Sequence, residues 1–218
     1  MATATTLTIQ GYRNEPVLNR LLRPEGAIDH LALLLPGYGY TLDMPLFYYA
    51  EKLLLERGWD VLRVEYAYNT RPEFQTLSKP ERDRWLLEDT TAAWRAGLGQ
   101  RNYERVVLIG KSLGTMAMGH LLTAADLPPN LGAVWLTPLL SEERLRQQIQ
   151  QYGGPSLFVI GTADPHFEPV VLEKMQVATV GEAVIVKNAD HGMDILGDPV
   201  SSVRAVERVV EALVRFLA

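Results

Sequence analysis

After an opening hairpin, apolar strand-like runs and helix-period segments alternate from residue 30 to the end of the chain. This alternation predicts a doubly wound α/β fold, a mostly parallel sheet of about eight strands flanked by helices. The later apolar runs are continuous instead of alternating, as in strands buried on both faces. No linker, internal repeat or low-complexity tract interrupts the pattern, so residues 1–218 are expected to form a single domain.

Residues 5–10 and 16–22 are short apolar runs separated by Gly11-Tyr12-Arg13-Asn14-Glu15, and they predict the hairpin. Residues 30–35 form a buried strand that runs into the glycine-rich loop Pro36-Gly37-Tyr38-Gly39. A helix over 45–57 stops at Gly58, and 60–66 is the next strand. Residues 79–98 read as a long helix with Pro80 in its first turn, where a missing N–H costs least. The strand 106–110 and the helix 113–124 follow. Then come a strand over 133–136, a polar helix over 141–151, a strand over 157–161, a helix near 168–175, a strand over 183–186 and a final helix over 200–217.

Composition narrows the function. A net charge of -5 argues against a nucleic-acid partner, which needs clustered Lys and Arg. The chain has no cysteine, which excludes disulfides, thiolate metal sites and a cysteine nucleophile. The first residues lack a signal-peptide pattern and no apolar run approaches a bilayer span, so a cytoplasmic protein without membrane attachment is expected.

The residue that matters most is Ser112. The run Val106-Val107-Leu108-Ile109-Gly110-Lys111-Ser112-Leu113-Gly114 is a strand ending in Gly-x-Ser-x-Gly with a helix behind it. That is the context of a nucleophile elbow, a turn so tight that the serine Oγ stands clear of the sheet. Gly110-Lys111-Ser112 also ends like a phosphate-binding loop, but that motif needs a glycine where Arg105 stands. The plain alternative is a serine capping a helix. Lys111, at the elbow's x position, is expected to point outward into solvent.

Serine needs a base to become a nucleophile at neutral pH. Of the four histidines, His30 lies at the amino end of a strand and His120 lies two turns into a helix. His166 follows a strand end and is possible. His191 follows the last strand at the edge where open α/β sheets place their chemistry, and it is the preferred base. The base in turn needs a carboxylate to fix its tautomer. Asp164 closes the preceding strand's run and is preferred, with Asp190, Asp194 and Glu168 as alternates.

The order Ser112, Asp164, His191, each at a strand's carboxyl end, resembles that of the α/β-hydrolase superfamily, and the resemblance spans nearly the whole chain. Pro-Gly-Tyr-Gly-Tyr-Thr, Gly-Lys-Ser-Leu-Gly-Thr and Gly-Thr-Ala-Asp-Pro look like the small lidless bacterial members related to dienelactone hydrolases. The dienelactone hydrolases proper use cysteine where this chain has serine, so their substrate does not carry over. The resemblance implies nucleophile, acid and base after strands five, seven and eight. It also implies an oxyanion hole from the backbone N–H groups of Tyr38 and Leu113. Many members have His-Gly where this chain has Pro36-Gly37.

Only residues 138–155 join strands six and seven, so no cap domain and an open cleft are expected. Tyr40, Met116, Trp135, Phe167 and Met193 are the expected substrate-binding residues, with Tyr66, Tyr68 and Leu139 adding apolar surface. These features together imply a serine hydrolase of small-molecule carboxylic esters or thioesters, without metal or cofactor. A peptidase is a further possibility within enzymes. A catalytically silent hydrolase fold serving as a binding or scaffold protein is the alternative.

Overall fold

The computed structural model of the protein describes residues 2–124 and 126–218. Among these, eight strands form one sheet in the order β1-β2-β4-β3-β5-β6-β7-β8. The strands are β1 (Thr3–Thr5), β2 (Asn19–Arg23), β3 (His30–Leu35), β4 (Asp60–Val64), β5 (Arg105–Lys111), β6 (Leu131–Leu136), β7 (Ser156–Gly161) and β8 (Gly181–Val186). Pairing is antiparallel from β1 through β2 to β4 and parallel from β4 across to β8. The helices are α1 (Pro45–Glu56), α2 (Pro72–Thr76), α3 (Lys79–Leu98), α4 (Leu113–Leu121), α5 (Glu143–Tyr152), α6 (Pro169–Ala178) and α7 (Pro199–Phe216).

The central strands are mostly apolar because each of their faces is covered. Leu31, Leu33 and Leu35 of β3, Leu108 of β5 and Trp135 of β6 join a core with Trp85 of α3, Met118 of α4, Ile149 of α5 and Met175 of α6. The intervening residues Ala32, Leu34, Val107, Ile109 and Val134 face a second core, closed by Phe47 and Leu54 of α1 and Val209 and Leu213 of α7. Side chains alternate across a strand, so one sequence run feeds both cores.

Local chemistry sets the helix ends. Ser78 and Glu81 form a reciprocal capping box at the start of α3, with Pro80 in its first turn. The Asp198 carboxylate accepts from the Ser201 N–H at 2.9 Å and caps α7.

The opening hairpin is present, but its strands are shorter than the expected runs 5–10 and 16–22. Thr3 pairs with Arg23, and Gln10 bridges Pro16 alone. Between them the Asn19 amide replaces the ladder: it accepts from the Leu7 N–H and donates to the Leu7 and Val17 carbonyls. The short helix α2 and a 3-10 turn at Tyr68–Thr70 fill a stretch for which the sequence predicts no element. One turn is too short to show a helical period.

The link from β6 to β7 holds α5 and turns, and no cap domain stands over the sheet among the described residues. No helix among them is long and apolar enough to cross a membrane.

Candidate active site at the carboxyl edge of the sheet

Ser112 lies between the end of β5 and the start of α4 with φ 52° and ψ −115°. A side-chain-bearing residue rarely adopts this conformation, at a cost of about 1–3 kcal/mol. The neighbourhood over-determines it. The Ser112 N–H donates to the Leu136 carbonyl at 3.1 Å, and the Thr115 N–H and hydroxyl donate to the Ser112 carbonyl at 2.9 and 2.6 Å. The flanking glycines are required by space. A Cβ on Gly110 would sit 2.7 Å from the Gly114 carbonyl oxygen, and a Cβ on Gly114 would land on the Leu35 carbonyl oxygen. Ser112 holds the helix N-cap position, yet its side chain makes no cap bond.

Instead the Ser112 Oγ lies 2.8 Å from His191 Nε2. His191 Nδ1 lies 2.8 Å from Asp164 Oδ2. An ionised Asp164 can only accept, so Nδ1 carries the proton and Nε2 faces the serine hydroxyl as an acceptor. The other oxygen of Asp164, Oδ1, accepts the His166 N–H at 2.9 Å. Burial pushes the Asp164 carboxyl up, but the bonds from His191 and His166 and the nearby imidazoles outweigh it, and its pKa lies below the ordinary value.

His191 is carried on a compact loop. Asp190 Oδ1 accepts from the Gly192 N–H at 2.7 Å and the Asp194 N–H at 3.0 Å, and the Asp190 N–H returns to the Asp194 carbonyl at 2.9 Å. Asp190 thus organises the loop and does not face the imidazole. The His166 ring stands edge-on to that of His191, with centroids 5.4 Å apart, and its Nδ1 is 2.7 Å from Ser141 Oγ. Donor atoms of Asp164, His166 and His191 lie within 4.8 Å of one another. A cation there would have to displace the Ser112–His191–Asp164 bonds.

The loop after β3 abuts the elbow, since a Cβ on Gly37 would lie 3.3 Å from that of Ser112. The Tyr66 hydroxyl donates to the Pro36 carbonyl at 2.7 Å and the Gly37 N–H donates to the Tyr40 carbonyl at 3.2 Å, which fixes the loop's path. Tyr38 is at its exposed tip and Leu113 begins α4.

A family model described as an alpha/beta hydrolase domain matches residues 29–218. This chain belongs to that family. An esterase from Pyrococcus furiosus superimposes with a TM-score of 0.70 at 15% identity, covering 100% of this chain and 94% of that one. A serine hydrolase from Xanthomonas campestris, described as lacking a lid, gives 0.67 at 17% identity, with 98% and 93% covered. A serine hydrolase homologue from Coxiella burnetii gives 0.70 at 18% identity, with 98% and 97% covered. At these identities the likeness is one of fold. No curated protein matches the chain in sequence.

Within this α/β-hydrolase fold, Ser112, Asp164 and His191 follow β5, β7 and β8 as the chain order implies. Met116 and Phe167 are half-buried, packed against the first core. Tyr40 is also half-buried, and its hydroxyl accepts from the Leu46 N–H at 3.1 Å, in place of a side-chain cap for α1. Burial pushes that hydroxyl up to about 12.

Two expected cleft residues are core residues instead. Trp135 is fully buried on β6, where it stacks on Phe158 and donates to Ser156 Oγ at 3.2 Å. Met193 is buried because the His191 loop folds back over the second core. Tyr66 and Tyr68 are buried as well, the latter donating to Asp89 at 2.8 Å.

Lys111 overturns its expectation most clearly. It is 1% exposed, and its ammonium donates to Thr137 Oγ1 at 2.9 Å and to the His191 carbonyl at 2.6 Å. The sequence held the signal: Val107, Ile109 and Lys111 fall on one face of β5, and the first two belong to the second core.

Proposed function

We propose that this chain is a serine hydrolase that cleaves small carboxylic esters or thioesters through an acyl-enzyme. The observation that carries the reading is the relay of 2.8 Å from Ser112 Oγ to His191 Nε2 and 2.8 Å from His191 Nδ1 to Asp164 Oδ2. The esterase and serine hydrolase folds it resembles add support.

In this mechanism Ser112 Oγ attacks the substrate carbonyl carbon as its proton passes to His191 Nε2. The C=O electron pair moves onto oxygen, where the N–H groups of Tyr38 and Leu113 stabilise the charge. Collapse expels the alkoxide or thiolate, which takes the proton from Nε2, and Ser112 is left acylated. Water then gives a proton to Nε2, attacks the acyl carbon and releases the acid, and the proton returns to Ser112. Asp164 stays ionised throughout and stabilises the imidazolium. Substrates reach the site without a lid to move, which suits small or protruding acyl groups. No metal or cofactor takes part in the scheme, the substrate is a small-molecule ester or thioester, and the net charge of -5 argues against a nucleic-acid partner.

A panel of p-nitrophenyl esters and acyl thioesters of increasing chain length tests the reading. Turnover of at least one short acyl substrate is expected, with loss of at least about 10³-fold in Ser112→Ala. Turnover that survives in Ser112→Ala contradicts Ser112 as the nucleophile, and none in the wild type across both panels contradicts the hydrolase reading and favours a silent scaffold.

A further inference from the structure

Lys111 is a buried charged residue that the chemistry above does not use. Its side chain reaches three other strand-end segments at the same edge. The ammonium donates to Thr137 just past β6 and to the main-chain carbonyl of His191 past β8, and it lies 4.4 Å from the Tyr40 ring centroid in the loop after β3. The backbone that carries it is that of Ser112 itself, one residue on.

A charged donor on a carbonyl makes a stronger bond than a neutral one, and enclosure shields it from water. The same enclosure opposes the charge. Burial pulls the Lys111 pKa down to about 8, against the pull of Asp164 and Asp190. Val107 and Ile109, the preceding side chains on that face of β5, pack in an apolar core. An apolar side chain of lysine's length would remove the cost of burying that charge. What such a side chain could not do is hold the His191 carbonyl. The bond matters for geometry, because a misplacement of 1 Å in a reacting group costs up to about 10²-fold in rate.

We propose that Lys111 is a positioning residue whose ammonium ties the His191 main chain to the Ser112 elbow and thereby keeps Nε2 aligned with Oγ. The proposal rests on the serine-hydrolase reading. It also gives the lysine at the elbow's x position a role in the reaction geometry, through His191, without contact to substrate.

The test compares wild type with Lys111→Met, and Lys111→Cys before and after alkylation with 2-bromoethylamine. The alkylation is specific because the chain has no other cysteine, and it restores an ammonium on a side chain of nearly lysine length. Each protein is titrated with a fluorophosphonate so that rates refer to competent molecules.

Lys111→Met is expected to lose about tenfold to hundredfold in kcat with KM within about twofold and a melting temperature unchanged or raised. Lys111→Cys is expected to be similarly slow, and the aminoethylated form, verified by mass, to recover to within about threefold of wild type. The proposal is overturned if Lys111→Met keeps kcat within about twofold of wild type, or if aminoethylation leaves the rate of Lys111→Cys unchanged. A wild type that takes no fluorophosphonate sinks the hydrolase reading instead, so the two failures are distinct.

Discussion

Asp164 has both oxygens occupied, one by His191 Nδ1 and one by the His166 N–H. Asp164→Asn would keep the shape but turn an amide donor or a weaker acceptor toward Nδ1, which favours the wrong tautomer. We expect kcat to fall by about 10³–10⁴-fold with the fold intact, read by ester turnover and circular dichroism. A loss under tenfold would remove Asp164 from the relay. Lys111 predicts a pH effect on stability. The folded chain releases its proton near 8 and the unfolded chain near 10.5, so between those values the unfolded state binds more protons. Stability of the wild type relative to Lys111→Met should therefore rise across that window, by up to about 3 kcal/mol, in denaturant titrations. A flat or falling difference would contradict a buried, depressed ammonium. The relay was legible in the sequence because serine, carboxylate and imidazole each had to end a strand at one edge. Lys111 was misread because the elbow motif leaves its x position free, whereas the parity of β5 fixes where that side chain goes.

The elbow is a contact between two elements before it is a catalytic feature. α4 can follow β5 so closely only because Gly114 brings its main chain against the Leu35 carbonyl at the end of β3. Gly114→Ala should cost about 3 kcal/mol or more, since the opposing atom is backbone and cannot swing away. Urea unfolding measures it, and a change under about 0.5 kcal/mol would mean that the strand and helix have slack. The parallel strands and the long helices were legible to within a few residues, because continuous apolar runs and the 3.6-residue period are strong signals. The bounds of α3 agree to the residue, since Pro80 marks its start and its apolar period ends at Leu98. Two pieces were not legible. The centre of the hairpin depends on Asn19 standing in for a ladder, and α2 is too short for any period.

On the scale of the whole molecule, two cores clamp one sheet and leave its carboxyl edge for loops. Ser112, Asp164 and His191 arrive there from three strands, and their mutual spacing is set by sheet register and not by local sequence. The same packing explains why Trp135 and Met193 are buried: sequence marks an apolar residue near a strand end, and only packing decides whether it faces the cleft or the core. The relay can act only if Ser112 is an activated nucleophile. The most direct measurement is intact mass after exposure to a fluorophosphonate, for the wild type beside Ser112→Ala and Asp164→Asn. One adduct per wild-type chain is expected, none in Ser112→Ala, and slow addition in Asp164→Asn. A folded wild type that gains no mass, or an adduct that persists in Ser112→Ala, would contradict it.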